Sequence, residues 1–174
     1  GTNTERRKFL RGCHYKMEDK FMRHRSMALV IRNQRILMEK LFYGDRYFYS
    51  IPGGGIEENE TPEEAAIREL KEETGLDGTI VKKLAVTYAR NDGSEEHVFE
   101  VGVPDDQEPI IGYDPEEPLD NQPIKEVCWM KLDELSEKDR AFLWFYGLMG
   151  VEGYFDEILS WGDEISYPTA GAFG

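Results

Sequence analysis

Residues Thr61–Leu76 read TPEEAAIRELKEETGL, and their spacing predicts a helix with both ends marked in the sequence. Thr61 is the N-cap, Pro62 takes the first helical position, and Glu64, three residues after Thr61, makes a capping box. Gly75 is placed to end the helix just after Thr74. At about 100° per residue with Glu69 set to zero, Glu73 falls at about 40° and Glu72 at about 300°. Ala65 and Ala66 lie on the same side one turn earlier and leave room for approach. Ile67, Leu70 and Thr74 form a core-facing stripe, while Glu64, Arg68 and Lys71 take the third side, where Arg68 flanks Glu72. The carboxylates therefore cluster at the helix C-terminus. There the dipole favours cations, and like charges three or four residues apart repel. A solvated acidic face is the plain alternative, but it leaves the placement against the dipole unexplained. A hard divalent cation, Mg²⁺ or Mn²⁺, prefers oxygen ligands and resolves the repulsion.

Working outward, GGGIEENE (Gly53–Glu60) predicts a glycine-rich loop before the helix. Ser26–Tyr43 reads as two β-rich runs around an Asn33-Gln34 turn, and Arg46–Pro52 as a third short strand. After the helix, Thr79–Arg90 and Glu95–Val103 predict a strand pair around NDGS. Residues 104–123 hold five prolines and seven acids, which predicts a long irregular loop of the kind that often carries function. Ile124–Leu132 reads as another strand. Asp139–Met149 has helical spacing, with Phe142, Phe145, Tyr146 and Met149 near one stripe. The tail, Gly153–Tyr167, reads as two short strands or a strand and turn. This order predicts an α/β fold, a mixed sheet with helices on its faces. The domain is expected over residues 25–170, preceded by a basic extension over residues 1–24.

The chain has 174 residues and a net charge of −14, unevenly spread. Residues 1–25 hold eight Lys/Arg against three acids, so the remaining chain carries −14 − 5 = −19. An acidic body argues against a stable nucleic-acid complex, and it obliges an anionic substrate to approach through a metal ion or placed basic groups. No apolar run is long enough to span a membrane, and no signal-peptide pattern follows the N-terminus. Cys13 and Cys128 are far apart, with no CxxC, so a zinc site is not expected. Reduced thiols in a cytoplasmic protein are.

From Gly54 to Leu76 the sequence, GGIEENETPEEAAIRELKEETGL, resembles the signature of the Nudix hydrolases, the MutT-like proteins. Gly54, Glu60, Arg68, Glu69, Leu70, Glu72, Glu73, Gly75 and Leu76 fill every specified position of that pattern. The resemblance implies an α/β/α sandwich. It also implies metal-dependent attack of water on the pyrophosphate of a nucleoside diphosphate linked to a group X. Carried onto this chain, Glu69, Glu72 and Glu73 are the implied metal ligands, joined by a backbone carbonyl of Gly53 or Gly54. Arg68 is implied to hold a glutamate of the motif in place, Glu60 to support the loop, and Glu69 to take the proton. Many relatives have Gly where this chain has Asn59, a residue that tolerates left-handed backbone. Relatives often place a further metal-binding glutamate in the loop before a Trp-bearing strand. Glu116, Glu117, Asp120 and Glu126 are the candidates before Trp129.

The marks of the ADP-ribose, coenzyme A, NADH and dinucleoside-polyphosphate subgroups are missing or displaced. That leaves a MutT-like nucleoside triphosphate or another NDP-X as the small-molecule substrate. Arg46 and Arg90 are candidates for phosphate contact. Tyr47 and Tyr49, alternating with Phe48, are candidates to line one face of the pocket. The rival class is a Nudix-fold module that senses or binds a nucleotide without hydrolysing it; such modules usually show a degraded motif. Homodimer formation is compatible with the family.

Overall fold

The computed structural model describes residues 23–89 and 92–153. The sequence between Arg25 and Gly55 forms five strands: β1 (Arg25–Leu29), β2 (Ile31–Arg32), β3 (Arg35–Tyr43), β4 (Arg46–Ser50) and β5 (Gly53–Gly55). The turn between β2 and β3 is the expected one. Asn33 and Gln34 sit at φ 51° and 62°, the left-handed pair that a two-residue hairpin demands. Helix α1 (Pro62–Thr74) follows, then β6 (Thr79–Tyr88), β7 (Glu95–Gly102), β8 (Ile124–Met130) and helix α2 (Glu137–Phe145). Short 3₁₀ turns at Leu132–Glu134 and Leu148–Gly150 flank α2.

Two four-stranded sheets result. One runs β5-β1-β7-β6, with β1 and β7 parallel and the other pairs antiparallel. In the other, β3 is central, with β4 on one side, β8 on the other, and the short β2 at its start. The strands divide their side chains by parity between two cores. Ala28, Val30, Leu37, Phe99 and Val101 pack with Ala66, Leu70 and Leu76 on the α1 side. Met27, Leu29, Ile36, Met38 and Val98 pack with Leu143, Tyr146 and Leu148 on the α2 side. Burial on both faces explains why β1 and the start of β3 read as continuous apolar runs. Helices thus cover both faces of a mixed sheet system, as the α/β/α expectation requires.

The structure corrects three expectations. Gly53–Gly55 is not loop but strand, pairing antiparallel with Met27, Ser26 and Arg25 of β1. Three glycines carry no side-chain alternation to reveal this. Helix α2 stops at Phe145, and the stripe of Phe142, Phe145 and Met149 is exposed, while Ala141, Leu143 and Tyr146 face the core. The Ile67–Leu70–Thr74 stripe is only half right. Leu70 and Thr74 are buried, but so are Ala65, Ala66, Glu69 and Glu73, and Ile67 lies at the margin. The expected tail strands and residues 1–22 of the extension, with Cys13, lie outside the described residues. Among the described residues, no helix is long and apolar enough to cross a membrane.

Candidate active site

Helix α1 begins as its sequence dictates: the Thr61 hydroxyl accepts from Glu64 N–H at 3.1 Å and donates to the Glu64 carboxylate at 3.1 Å. The Ser26 hydroxyl of β1 donates to Pro62 O at 2.5 Å and pins this end to the sheet. The far end closes on Gly75, at φ 74°, whose N–H donates to Lys71 O. Between these fixed ends one face of the helix lies on β5. The Gly53 amide donates to Glu73 Oε2 at 3.1 Å. A Cβ on Gly54 would fall 2.4 Å from the Glu69 carboxyl carbon, so only glycine lets that carboxylate sit where it does.

Arg68 is the hub of the motif. Its Nε and Nη2 form a fork on Glu60, at 2.7 and 2.9 Å, and Nη2 also donates to Gly55 O at 2.9 Å. Its Nη1 reaches Glu69 Oε1 at 2.9 Å and Glu72 Oε2 at 3.2 Å. Glu60 in turn accepts from Glu57 N–H, and Asn59 takes the left-handed backbone, φ 64°, that the turn needs. The arginine therefore ties the loop after β5 to two of the three helix carboxylates. In this arrangement Glu69 and Glu72 turn to Arg68 while Glu73 turns inward. Among the described residues, no three His, Cys, Asp or Glu side chains converge into a ready-made metal cage.

The loop over residues 104–123 completes the site in a way the sequence did not announce. Ile110, Gly112 and Tyr113 donate their amides to Thr74 O, Glu73 O and Glu72 O at 2.9, 2.7 and 3.2 Å. These are carbonyls that a helix end leaves without partners. The loop thus caps α1 where the carboxylates make it most negative. Arg32 Nη2 holds the loop's start through Pro104 O and Gln107 O, at 2.7 Å each, and Gln122 ties its end to Asp114. A Cβ on Gly112 would stand 1.9 Å from Glu72 O. Gly112→Ala is expected to undock the loop, at a cost of about 1–3 kcal/mol. Urea unfolding measures the cost, and faster amide exchange at Gly112 and Tyr113 reports the undocking. Unchanged exchange would refute the capping role.

Docked this way, the loop brings Asp114, Glu116 and Glu117 to a cavity of about 160 Å³. Its other walls are Glu69 and Glu73 from α1, Gly53 and Gly54 from β5, Glu39, Leu41 and Tyr43 from β3, Ser50 from β4, and Arg25. Of the extra-carboxylate candidates, Glu116 and Glu117 line the cavity, and Glu116 pairs with Arg23. Asp120 does not line it, nor does Glu126, which sits opposite Lys40 on the other parity of β3 and β8.

Tyr47 and Tyr49, expected to line the pocket, do not line this cavity. Glu39 pairs with Ser50 and Leu41 with Phe48, so that face of the hairpin serves the cavity. Tyr47 and Tyr49 pair with Phe42 and Lys40 on the opposite face. Tyr47 packs on Phe42 at 4.7 Å between ring centroids, and Arg46 lies over Phe48. Arg46, Tyr47 and Tyr49 instead border a separate cleft against α2. Arg90 lies outside the described residues. Three charged cavity residues, Arg25, Glu39 and Asp114, escaped the sequence reading. Glu39 left a signal, a carboxylate beside Lys40 inside the otherwise apolar run ILMEKLF; Asp114 left none among the many acids of its loop.

Burial dominates the electrostatics. Glu69 is pushed up to about 7 by burial, against the pull of Arg68. Glu73 and Glu39 are hydrogen-bonded to each other, and both are pushed up, first by burial. For Glu73 the adjoining Glu39 charge adds to it. Such a pair holds a proton where isolated carboxyls would not.

A fold with two helices around mixed sheets, and an arginine-anchored glutamate helix over a glycine strand, defines a class in which an acidic cavity is built on one helix. The profile of the NUDIX domain matches residues 22–146, and the chain belongs to the Nudix family. The RNA pyrophosphohydrolase of Hydrogenovibrio crunogenus is 49% identical over 51 residues, 28% of this chain and 31% of that protein. The CMP-5′-(N-acetyl-N-hydroxy-3-aminopropyl)phosphonate hydrolase of Streptomyces rubellomurinus is 30% identical over 130 residues, 72% of this chain and 60% of that protein. This chain therefore spans less than two thirds of the length of either relative. The solution structure of the E. coli ORF135 protein superposes with a TM-score of 0.56 at 21% identity, covering 76% of this chain and 92% of that one. That likeness speaks to the fold alone.

Proposed function

We propose that this chain hydrolyses the pyrophosphate bond of a nucleoside diphosphate linked to X, with Mg²⁺ or Mn²⁺ as cofactor. The observation that carries this reading is the cavity itself. Six carboxylates, Glu39, Glu69, Glu73, Asp114, Glu116 and Glu117, face one space with Arg25 as the basic lining residue. An anionic substrate cannot enter such a space without cations.

The residues fit a hard divalent ion. The donors are all oxygen, Gly54 leaves room that a side chain would fill, and the buried Oε1 of Glu39 has no partner. Glu69 and Glu73, which line the cavity, would hold the ion with a carbonyl of Gly53 or Gly54, and Glu72, turned to Arg68 and outside the cavity lining here, would join them. When bound, such an ion polarises phosphoryl oxygens and makes a bound water more acidic. The protein's own part is positional. Arg68 fixes Glu69 and Glu72 from one side, and Gly53 N–H fixes Glu73 from another. Glu69, held by one oxygen and facing the cavity, is the assigned general base. Arg25, which lines the cavity where Arg46 does not, would meet a substrate phosphate. The catalytic unit is taken to span residues 25–170, with residues 1–24 as an extension.

The relatives' names, a CMP-phosphonate hydrolase and an RNA pyrophosphohydrolase, support a nucleotide on one side of the cleaved bond and leave X open. A substrate screen tests the proposal. Deoxynucleoside triphosphates, 8-oxo-dGTP, ADP-ribose, nucleotide sugars and dinucleoside polyphosphates are each offered with Mg²⁺ or Mn²⁺ at mildly alkaline pH. One class turned over by the wild type and not by Glu73→Gln is the expected result. A flat screen alongside measured cation binding would favour a nucleotide sensor instead.

A further inference from the structure

Strand β3 is the middle strand of its sheet, and Glu39 sits near its centre, opposite Ser50 of β4 and Val127 of β8. The three residues before it, Ile36, Leu37 and Met38, are fully buried, and Glu39 itself is 2% exposed. Glutamate is almost never buried to this extent unless a partner compensates it. Here the groups that face it are mainly acids, Glu73, Glu69 and Asp114, with Arg25 as an opposing charge. One hydrogen bond joins it to Glu73, and Oε1 is left buried with no partner. An aliphatic residue at this point would serve the core better than a carboxylate that lacks a partner for one oxygen. The same face of β3 continues with Leu41 and Tyr43 along the cavity wall, so the carboxylate end of Glu39 opens on the space shared with Glu69 and Glu73.

We propose that Glu39 is a further ligand of the divalent cation, supplied by the sheet from outside the helix motif, with Oε1 as the donor atom. A hard cation satisfies a bare carboxylate oxygen and at the same time offsets the repulsion of the carboxylates around it. Glu39 then sets the depth of the ion: it fixes the site against the rigid sheet, whereas Glu69 and Glu72 are shared with Arg68. This inference rests on the metal-dependent reading above.

Titration calorimetry with Mn²⁺ and with Mg²⁺, on the whole chain, separates the two claims. Wild type, Glu73→Gln, Glu39→Gln and Glu39→Asp are compared, and each variant's melting without added metal confirms folding. Glu39→Gln keeps the shape and removes the anionic donor; a loss of affinity of about 10- to 100-fold is expected. Glu39→Asp keeps the charge but withdraws it by one methylene, and only partial recovery is expected. Glu39→Gln binding within about twofold of wild type, while Glu73→Gln is impaired, overturns the role of Glu39 and leaves the metal reading intact. Full recovery in Glu39→Asp also overturns it, because a charge acting through space would then suffice. A wild-type chain that binds neither cation sinks both.

Discussion

Arg68→Ala is expected to destabilise the protein by about 3–5 kcal/mol, the cost of removing one partner from a network of buried charges. Arg68 serves Glu60, Glu69, Glu72 and Gly55 O at once, and its own side chain is 22% exposed, so solvent does little to replace it. Glu69, 4% exposed, would lose its guanidinium and keep the burial that already lifts it to about 7. The Glu60 carboxylate would lose the fork that ties the loop to the helix. For a domain of this size the melting midpoint should fall by about 6–20 °C. Arg68→Lys should recover only a minor part, since an ammonium cannot present a planar fork to a carboxylate and a carbonyl together. Thermal and urea unfolding check the size. A loss under about 1 kcal/mol in Arg68→Ala would show that the network is no more than a surface cluster.

What could be read from the sequence and what could not divide along a physical line. Helix α1 was legible because its determinants are local: a cap, a proline, a capping glutamate and a closing glycine, all within one short segment. The Asn33-Gln34 hairpin was legible for the same reason. The contact of Arg68 with Glu72 follows from helical spacing; the motif implied that Arg68 holds a glutamate and that Glu60 supports the loop, but not that the two form a fork. Long-range pairing was not legible. The strand character of Gly53–Gly55 depends on β1, and the need for glycine at 54 depends on where Glu69 lands. The capping of α1 by Ile110, Gly112 and Tyr113 joins segments more than thirty residues apart in sequence, and no local pattern encodes it. Strand parity, too, depends on a partner strand. Tyr47 and Tyr49 were correctly grouped on one face of β4, but the β3–β4 register turns that face away from the cavity.

Glu73→Gln is expected to lower kcat by about 10²–10³-fold or more while making the protein, without added metal, more stable at neutral pH. Both effects come from the same contacts. Glu73 accepts from Gly53 N–H and meets Glu39, and the second contact needs a hydrogen. A glutamate supplies that hydrogen only by holding a proton, against its ordinary value of 4.5. A glutamine supplies it permanently, because its NH₂ donates to Glu39 and its carbonyl still accepts from Gly53. The pH dependence has a definite sign. With the folded value raised above the unfolded one, the native state binds more protons, so wild-type stability is fullest below about 4.5 and falls as pH rises toward the folded value. Glu69 adds a similar loss that is complete just above about 7 in both proteins. The gap between Glu73→Gln and wild type should therefore be small at pH 4 and widen to about 1–3 kcal/mol at pH 8. Saturating Mg²⁺ should close the gap or reverse it, since only the wild type gains the binding energy of the cation. Denaturant unfolding at the two pH values, with and without Mg²⁺, measures all four quantities. If Glu73→Gln without metal proved the less stable protein at pH 8, the carboxylates would be structural. Their crowding at the helix C-terminus would then owe nothing to a cation.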